Sequence, residues 1–352
     1  MSAVTASPLP AAPAAPAPAT VATPSLQAIS LTKEYGSVHA VQNLNFSVAR
    51  GEIVGFLGPN GAGKSTTMRI FAGLLGATSG RAYVAGIPVA RYPDEAKRHL
   101  GFMPEQNPLP DDMRVNEYLH FRARLKEIPW RKIKSRVESV IEMCGLQNKT
   151  RRKLIGTLSK GFRQRVGIAD AILAEPEVIL MDEPTIGLDP HQIISIRRLI
   201  DSLRNRHTTV LISSHILPEI EMCCDRVMII NQGRLVASGT SKSLRKELIT
   251  RAEWRLRLSG NIAAFEKLLP EVHPALRLAA VSPADSDGFA DIRLEGPADF
   301  GTLGETLLSA MMRRGDWLVR EFSPIEPGLE EIFLAATKSA SDTLMPFTVG
   351  RK

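Results

Sequence analysis

Apolar positions along this chain follow two rhythms, and the change between them falls near residue 250. Up to that point, short continuous apolar runs alternate with stretches of helical spacing. Leu26–Thr32 and Leu44–Val48 read as strands, followed by the buried-type run Ile53-Val54-Gly55-Phe56-Leu57. A helix is predicted next, with Met68, Phe71, Ala72 and Leu75 at helical spacing. Short strands follow at Arg81–Ala85 and Leu100–Met103, then helices over Arg114–Glu127, Lys134–Cys144 and Gly161–Ala174. Buried strands return at Val178–Met181 and Thr209–Ser213, and Asp225–Ile230 with Arg234–Ala237 flank the turn Asn231-Gln232-Gly233 as a hairpin. Strands alternating with helices predict an α/β core with a mainly parallel sheet. An antiparallel β region and a helical insert, about residues 105–165, flank that core within a domain of residues 25–250.

Beyond it the order changes. Trp254–Leu258 alternates as a strand, Ile262–Leu269 is helical, and Leu276–Val281 and Phe289–Leu294 read as strands. Phe300–Met312 is helical again, Trp317–Phe322 is a strand, and a last helix is expected at Gly328–Thr337. The sequence β-α-β-β-α-β predicts a small ferredoxin-like α+β domain over residues 251–339. It carries no cluster of residues suggesting chemistry, so packing or regulation is its expected role.

Composition sets outer bounds. Residues 1–24 are rich in Ala and Pro with no Lys or Arg, which suits neither a signal peptide nor a regular helix, and a disordered tail is expected there. Residues 340–352 are expected to be a second tail. No stretch approaches 18 uninterrupted apolar residues, so no bilayer-spanning helix is predicted. The cysteines Cys144, Cys223 and Cys224 fit no metal-ligand spacing, and a reduced, cytoplasmic setting accounts for them most simply. The net charge of +7 is concentrated between Arg91 and Arg165, where 18 Lys or Arg face 9 Asp or Glu. Anionic headgroups, nucleic acid or plain solvent could each face such a surface. Nucleic acid is not expected as a partner, because the run lacks the interleaved aromatics that stack bases.

The chemistry starts in the turn after the third strand. Gly58-Pro59-Asn60-Gly61-Ala62-Gly63-Lys64-Ser65-Thr66 fits G-x-x-x-x-G-K-[ST] between a buried strand and a helix. Its glycines let backbone N–H groups turn towards phosphate oxygens, and the helix presents its positive end to the same charge. Lys64 would reach the β- and γ-phosphates and the Ser65 hydroxyl would ligate Mg²⁺. A nucleoside triphosphate is the expected ligand.

Further segments follow in order: Met103-Pro104-Glu105-Gln106-Asn107-Pro108, then Leu158-Ser159-Lys160-Gly161-Phe162-Arg163-Gln164-Arg165, then Asp182-Glu183-Pro184 after an apolar strand. Gly187-Leu188-Asp189-Pro190 and Ser213-Ser214-His215 complete the series. Taken singly each is unremarkable, but six in order are not. The series, from roughly Leu26 to Gly239, resembles the ATP-binding subunit of ABC transporters, and so implies the cassette form of the P-loop NTPase fold. The signature has Lys160 and Phe162 where the common form has glycine and glutamine. That variant resembles type-2 exporters and, with Gly328-Leu329-Glu330-Glu331-Ile332-Phe333, is similar to the gliding-motility type subunit.

The resemblance implies a role for each position. Asp182, at the carboxyl end of its strand, would hold the Mg²⁺ hydration shell, with Gln106 touching both metal and lytic water. Glu183 would act as general base, and His215 would contact the γ-phosphate. Tyr35 would stack on adenine. Ser159 and Gly161 would hold the γ-phosphate of an ATP bound to a second cassette, so the resemblance implies a head-to-tail dimer with itself or a homologue. A separate integral-membrane permease is the implied partner, with the subunit peripheral on the inner face of the cell membrane. The alternative is a soluble regulatory ATPase of the same type that gates a membrane or ribosomal partner.

Overall fold

The computed structural model describes residues 23–204, 208–248, 251–297 and 303–325. The expected tails, apart from residues 23 and 24, and the helix at Gly328–Thr337 lie outside them. β1 (Leu26–Tyr35) and β2 (Val38–Val48) form an antiparallel hairpin, and β3 (Ile53–Leu57) runs into α1 (Lys64–Phe71). β4 (Ser79–Val84) and β5 (Ile87–Pro88) complete a four-stranded antiparallel sheet in the order β2-β1-β4-β5. α2 (Pro93–Arg98) leads to β6 (Leu100–Met103), and α3 (Val115–Leu125), α4 (Trp130–Met143) and α5 (Lys160–Ile172) make the helical insert. β7 (Val178–Asp182), α6 (Pro190–Arg204), β8 (Thr209–Ser214), α7 (Leu217–Glu221), β9 (Arg226–Asn231), β10 (Arg234–Gly239) and α8 (Ser241–Leu248) follow.

The central sheet has the order β10-β9-β3-β8-β7-β6, parallel except for the edge strand β10. All five residues of β3 and of β7 are buried, as a sheet covered on both faces requires. Successive side chains of a strand point to opposite faces, so these strands feed two cores. Ile53, Leu57, Ile179 and Met181 join the cluster under α3, α4, α5 and α6. Val54, Phe56, Val178 and Leu180 join the one under α1 and the antiparallel sheet. The helices of the insert are held to one another by charge as well as packing: Arg122 Nε on α3 donates at 2.9 Å to Asp170 Oδ1 on α5, and Asp170 is buried.

Two expectations need adjusting. The helix after the phosphate loop ends at Phe71, because Gly73 turns the chain back at φ +64 and its N–H returns to the Ile70 carbonyl. Ala72 and Leu75 therefore lie past its end, although Leu75 still packs against the core. The sequence reading also passed over α6, whose Ile196, Leu199, Ile200 and Leu203 are buried at i, i+3, i+4 and i+7.

The C-terminal segment comprises β11 (Arg251–Gly260), α9 (Ile262–Val272), β12 (Arg277–Val281), β13 (Ala290–Pro297), α10 (Leu303–Arg314) and β14 (Trp317–Ile325). Its four strands pair antiparallel in the order β12-β13-β11-β14, the arrangement of a split βαβ sheet. Trp254, Leu256 and Leu258 of β11 pack with Phe265 and Leu268 of α9 and with Leu307 and Met311 of α10.

Candidate functional site

The parallel strands β3, β7 and β8 end side by side, with Leu57 opposite Ser214 and Asp182 opposite Ser213. The chemistry-bearing residues leave the sheet along that edge, where open α/β sheets place ligands. From β3 the chain enters the loop Gly58–Thr66. Gly63 has φ +103, and a Cβ there would stand 2.4 Å from the Ala40 carbonyl oxygen, so only glycine fits. Gly58 is as tightly placed, 2.3 Å from the Ile230 carbonyl on the same construction. Pro59, Asn60 and Gly61 form the exposed crest, whereas Ala62, Gly63 and Lys64 are buried beneath it. Gly233, from the β9–β10 turn, links the loop to β2: its N–H donates to the Ala62 carbonyl and its carbonyl accepts from the Gln42 N–H.

Lys64 begins α1 and is 6% exposed. Its Nζ donates to the Gly58 carbonyl at 2.6 Å and lies 3.3 Å from that of Pro59, so the ammonium is held inside the loop. It also stands 3.4 Å from Glu183 Oε1. Ser65 Oγ donates to Asp182 Oδ1 at 3.1 Å, across 117 residues of sequence. Thr66 follows on the first turn and is partly buried.

β7 delivers Asp182 and Glu183 in succession. Asp182 is 1% exposed and accepts a second hydrogen bond from Ser213 Oγ at 2.6 Å. That hydroxyl in turn accepts from the Glu183 N–H at 2.9 Å. Glu183, at φ +51, turns out of the strand direction. Its Oε2 lies 2.9 Å from His215 Nδ1, while its buried Oε1 has no hydrogen bond. Phosphate loop, acidic pair and histidine therefore share one site.

Gln106 is exposed three residues beyond β6, the strand paired with β7. Its neighbour Asn107 donates to Gln164 Oε1 of α5 at 2.5 Å, so this loop is fastened to the signature helix. Tyr35 ends β1 half-exposed, with Lys33 Nζ 5.0 Å from its ring centroid on one face. Ser159 and Gly161 stand apart from this cluster. Ser159 is the exposed N-cap of α5, and Gly161 is buried against Gln192, which a Cβ would meet at 2.2 Å. Among the described residues, neither hydrogen-bonds to the Lys64 loop.

Sequence reasoning assigned no role to Ser213, which binds the Asp182 carboxylate and the Glu183 N–H, or to the pair Thr185–Glu219. Thr185 Oγ1 donates to Glu219 Oε2, and both are buried, so the segment after Glu183 is bound to α7. Only the spacing of Ser213 before His215 could have signalled its role.

A nucleotide-binding loop, an acidic strand end and a histidine on a parallel sheet with a helical insert define a cassette ATPase. Residues 41–186 match the ABC transporter family. The daunorubicin/doxorubicin resistance ATP-binding protein DrrA of Streptomyces peucetius is 33% identical over 323 residues, which span 91% of this chain and 94% of that protein. The bacitracin transport ATP-binding protein BcrA of Bacillus licheniformis is 42% identical over 222 residues, 63% of this chain and 71% of its own length. The dimeric bacterial ABC transporter cassette MJ0796 superposes with a TM-score of 0.57 at 26% identity, covering 61% of this chain and 98% of that one. The chain belongs to the ATP-binding subunits of ABC transporters, and it is an ATPase of the exporter class. These relatives bear the names of antibiotic resistance and transport rather than of gliding motility, and they favour the exporter subunit over a soluble regulatory ATPase.

Proposed function

We propose that the cluster around Lys64 binds ATP with Mg²⁺ and hydrolyses it, and that closure of two such cassettes drives export through a separate membrane permease. The observation that carries the hydrolytic reading is the setting of Glu183. One of its carboxylate oxygens is oriented by His215, and the other faces Lys64 without a hydrogen bond of its own. An oxygen so placed can accept a proton from water beside the γ-phosphate.

The donors present suit Mg²⁺. A serine hydroxyl and a carboxylate oxygen stand 3.1 Å apart, and both are hard oxygen ligands. Ser65 and Asp182 would hold the ion, with Gln106 reaching in from its loop, and when bound it neutralises charge on the β- and γ-phosphates. Lys64 holds the same phosphates as a fixed cation in a buried loop, Gly58–Gly63 contribute N–H groups, and Tyr35 offers a ring to the base. Glu183 takes the proton of the attacking water on its free Oε1, and His215, hydrogen-bonded to Oε2, keeps the carboxylate aimed and senses loss of the γ-phosphate.

Ser159 and Gly161 complete the site of a second copy or homologue. The names of the relatives support export, and the separate permease places this subunit peripherally on the inner face of the membrane. Glu183→Gln tests the assignment. The amide keeps the shape and loses the basicity, so nucleotide should still bind while turnover falls by about 10²–10⁴. Near-wild-type hydrolysis by this variant would remove Glu183 from the mechanism.

A further inference from the structure

Met222-Cys223-Cys224 follows α7 directly, and the two thiols lie side by side with Sγ atoms 3.7 Å apart. That spacing is far beyond the S–S bond of about 2.05 Å in a disulfide. It lies within a few tenths of an ångström of the separation of two sulfurs bonded to one pyramidal central atom at about the 2.3 Å of a metal–thiolate bond. The surroundings favour thiolate character at one of the pair. The Cys224 thiol lies against Cys223 Sγ and holds the Cys223 pKa below its ordinary value, helped by the nearby Arg197 guanidinium, while Cys224 is held well above. The Arg197 Nε is buried without a hydrogen-bond partner, and its Nη1 reaches Met222 Sδ at 2.7 Å. A polarised thiol pair beside a cation is the setting in which cysteines react. Cys223 is buried and Cys224 is partly open to solvent, so a reagent enters past Cys224, the Cys223 sulfur attacks first and the Cys224 sulfur closes the chelate.

We propose that Cys223 and Cys224 form a bidentate site for a trivalent arsenical, and that its occupancy slows ATP hydrolysis. The chemistry balances without any oxidant. The arsenic of a monosubstituted arsenous acid exchanges its two hydroxyl groups for the two sulfurs, and the two thiol protons leave with them as two molecules of water.

The coupling follows from what the thiols touch. Ile220 of α7 fills the space left by Gly55 of β3, its Cγ2 2.2 Å from where a Cβ would be, with Cys224 Sγ beside it at 3.3 Å, and β3 leads straight into the phosphate loop. Cys223 Sγ donates to the Glu219 carbonyl at 3.1 Å, and the Glu219 side chain holds Thr185, two residues past Glu183. An added arsenic atom must therefore part α7 from β3, and both ends of that displacement reach the hydrolytic cluster.

The test uses the full chain and phenylarsine oxide at one equivalent. Intact mass should rise by one arsenical per chain, and most ATP turnover should be lost. A small dithiol should restore turnover, whereas the same concentration of a monothiol should not. Cys223→Ser and Cys224→Ser should each abolish the tight adduct and the inhibition while keeping basal ATPase. Cys144→Ser should keep both, because burial pushes the Cys144 thiol up to about 12 and leaves it unreactive at neutral pH. If either serine variant fails to fold, competition settles the site: prior arsenical treatment of the wild-type chain should protect Cys223 and Cys224 from alkylation in a peptide map. An adduct that persists in both serine variants, or protection mapping elsewhere, overturns the site. An adduct at these cysteines with unchanged turnover overturns the coupling. The mass and mapping readouts do not depend on hydrolysis, so they stand apart from the fate of the Glu183 assignment.

Discussion

Asp182 and Glu183 are neighbours on one strand end, yet a single hydroxyl sorts them into different duties. Ser213 Oγ donates to Asp182 at 2.6 Å and accepts from the Glu183 backbone at 2.9 Å. It turns the first carboxylate towards Ser65 and fixes the peptide that projects the second towards His215. Ser213→Ala should therefore weaken the metal-dependent step without removing any group that touches nucleotide. Loss of such an orienting partner typically costs 10–100-fold in metal affinity or activity. The expected result is an Mg²⁺ requirement shifted to higher concentration, read from ATPase rate against Mg²⁺ at fixed ATP, while nucleotide affinity without metal stays close to wild type. Lys64→Ala acts on a different quantity. The buried ammonium is the fixed cation of the loop, so its removal should abolish tight ATP binding, and unchanged affinity by calorimetry would place the nucleotide elsewhere.

At the scale of elements, the legible parts of the chain are those whose partners are close in sequence. Gly58 to Thr66 states its own chemistry because strand, glycines, lysine and helix are contiguous. β3, β7 and β8 appear in the sequence as buried runs because a doubly covered parallel sheet leaves no polar face to interrupt them. Helix ends are harder to read. The pattern of α1 continues to Leu75, but the turn at Gly73 depends on backbone conformation rather than on hydrophobic spacing. The ties between loops are not legible at all. Asn107 to Gln164 spans 57 residues and Thr185 to Glu219 spans 34, and neither pair has a local signature. These ties carry predictions of their own. Gly167 lies so close to Asn107 that a Cβ would stand 2.5 Å from its Oδ1. Gly167→Ala should push the Gln106 loop off α5, lowering turnover more than ATP binding, as seen in kcat against nucleotide Kd. Asn107→Ala removes the same tie without the clash and should give the same split in weaker form. Equal loss of binding and turnover in both variants would mean that this contact only supports folding.

At the scale of the whole molecule, the place of Ser159 becomes a statement about assembly. Ser159 caps α5 at an exposed helix start and, among the described residues, makes no hydrogen bond with the phosphate loop after β3. If the signature serves the nucleotide of a second copy, Ser159→Arg should leave ATP binding by the single chain nearly intact and prevent both dimer closure and hydrolysis. The bulky side chain displaces the hydroxyl and N–H groups that must meet the γ-phosphate. Mixing Ser159→Arg chains with Lys64→Ala chains then distinguishes shared from self-contained sites. In a mixed dimer the intact Lys64 of one chain meets the intact Ser159 of the other, restoring up to one working site, whereas each variant alone has none. Recovered ATPase on mixing, absent from either variant alone, is the expected outcome. Unimpaired hydrolysis by Ser159→Arg alone would reject the composite site, because no rearrangement within one chain would then be needed to bring the signature to the phosphate.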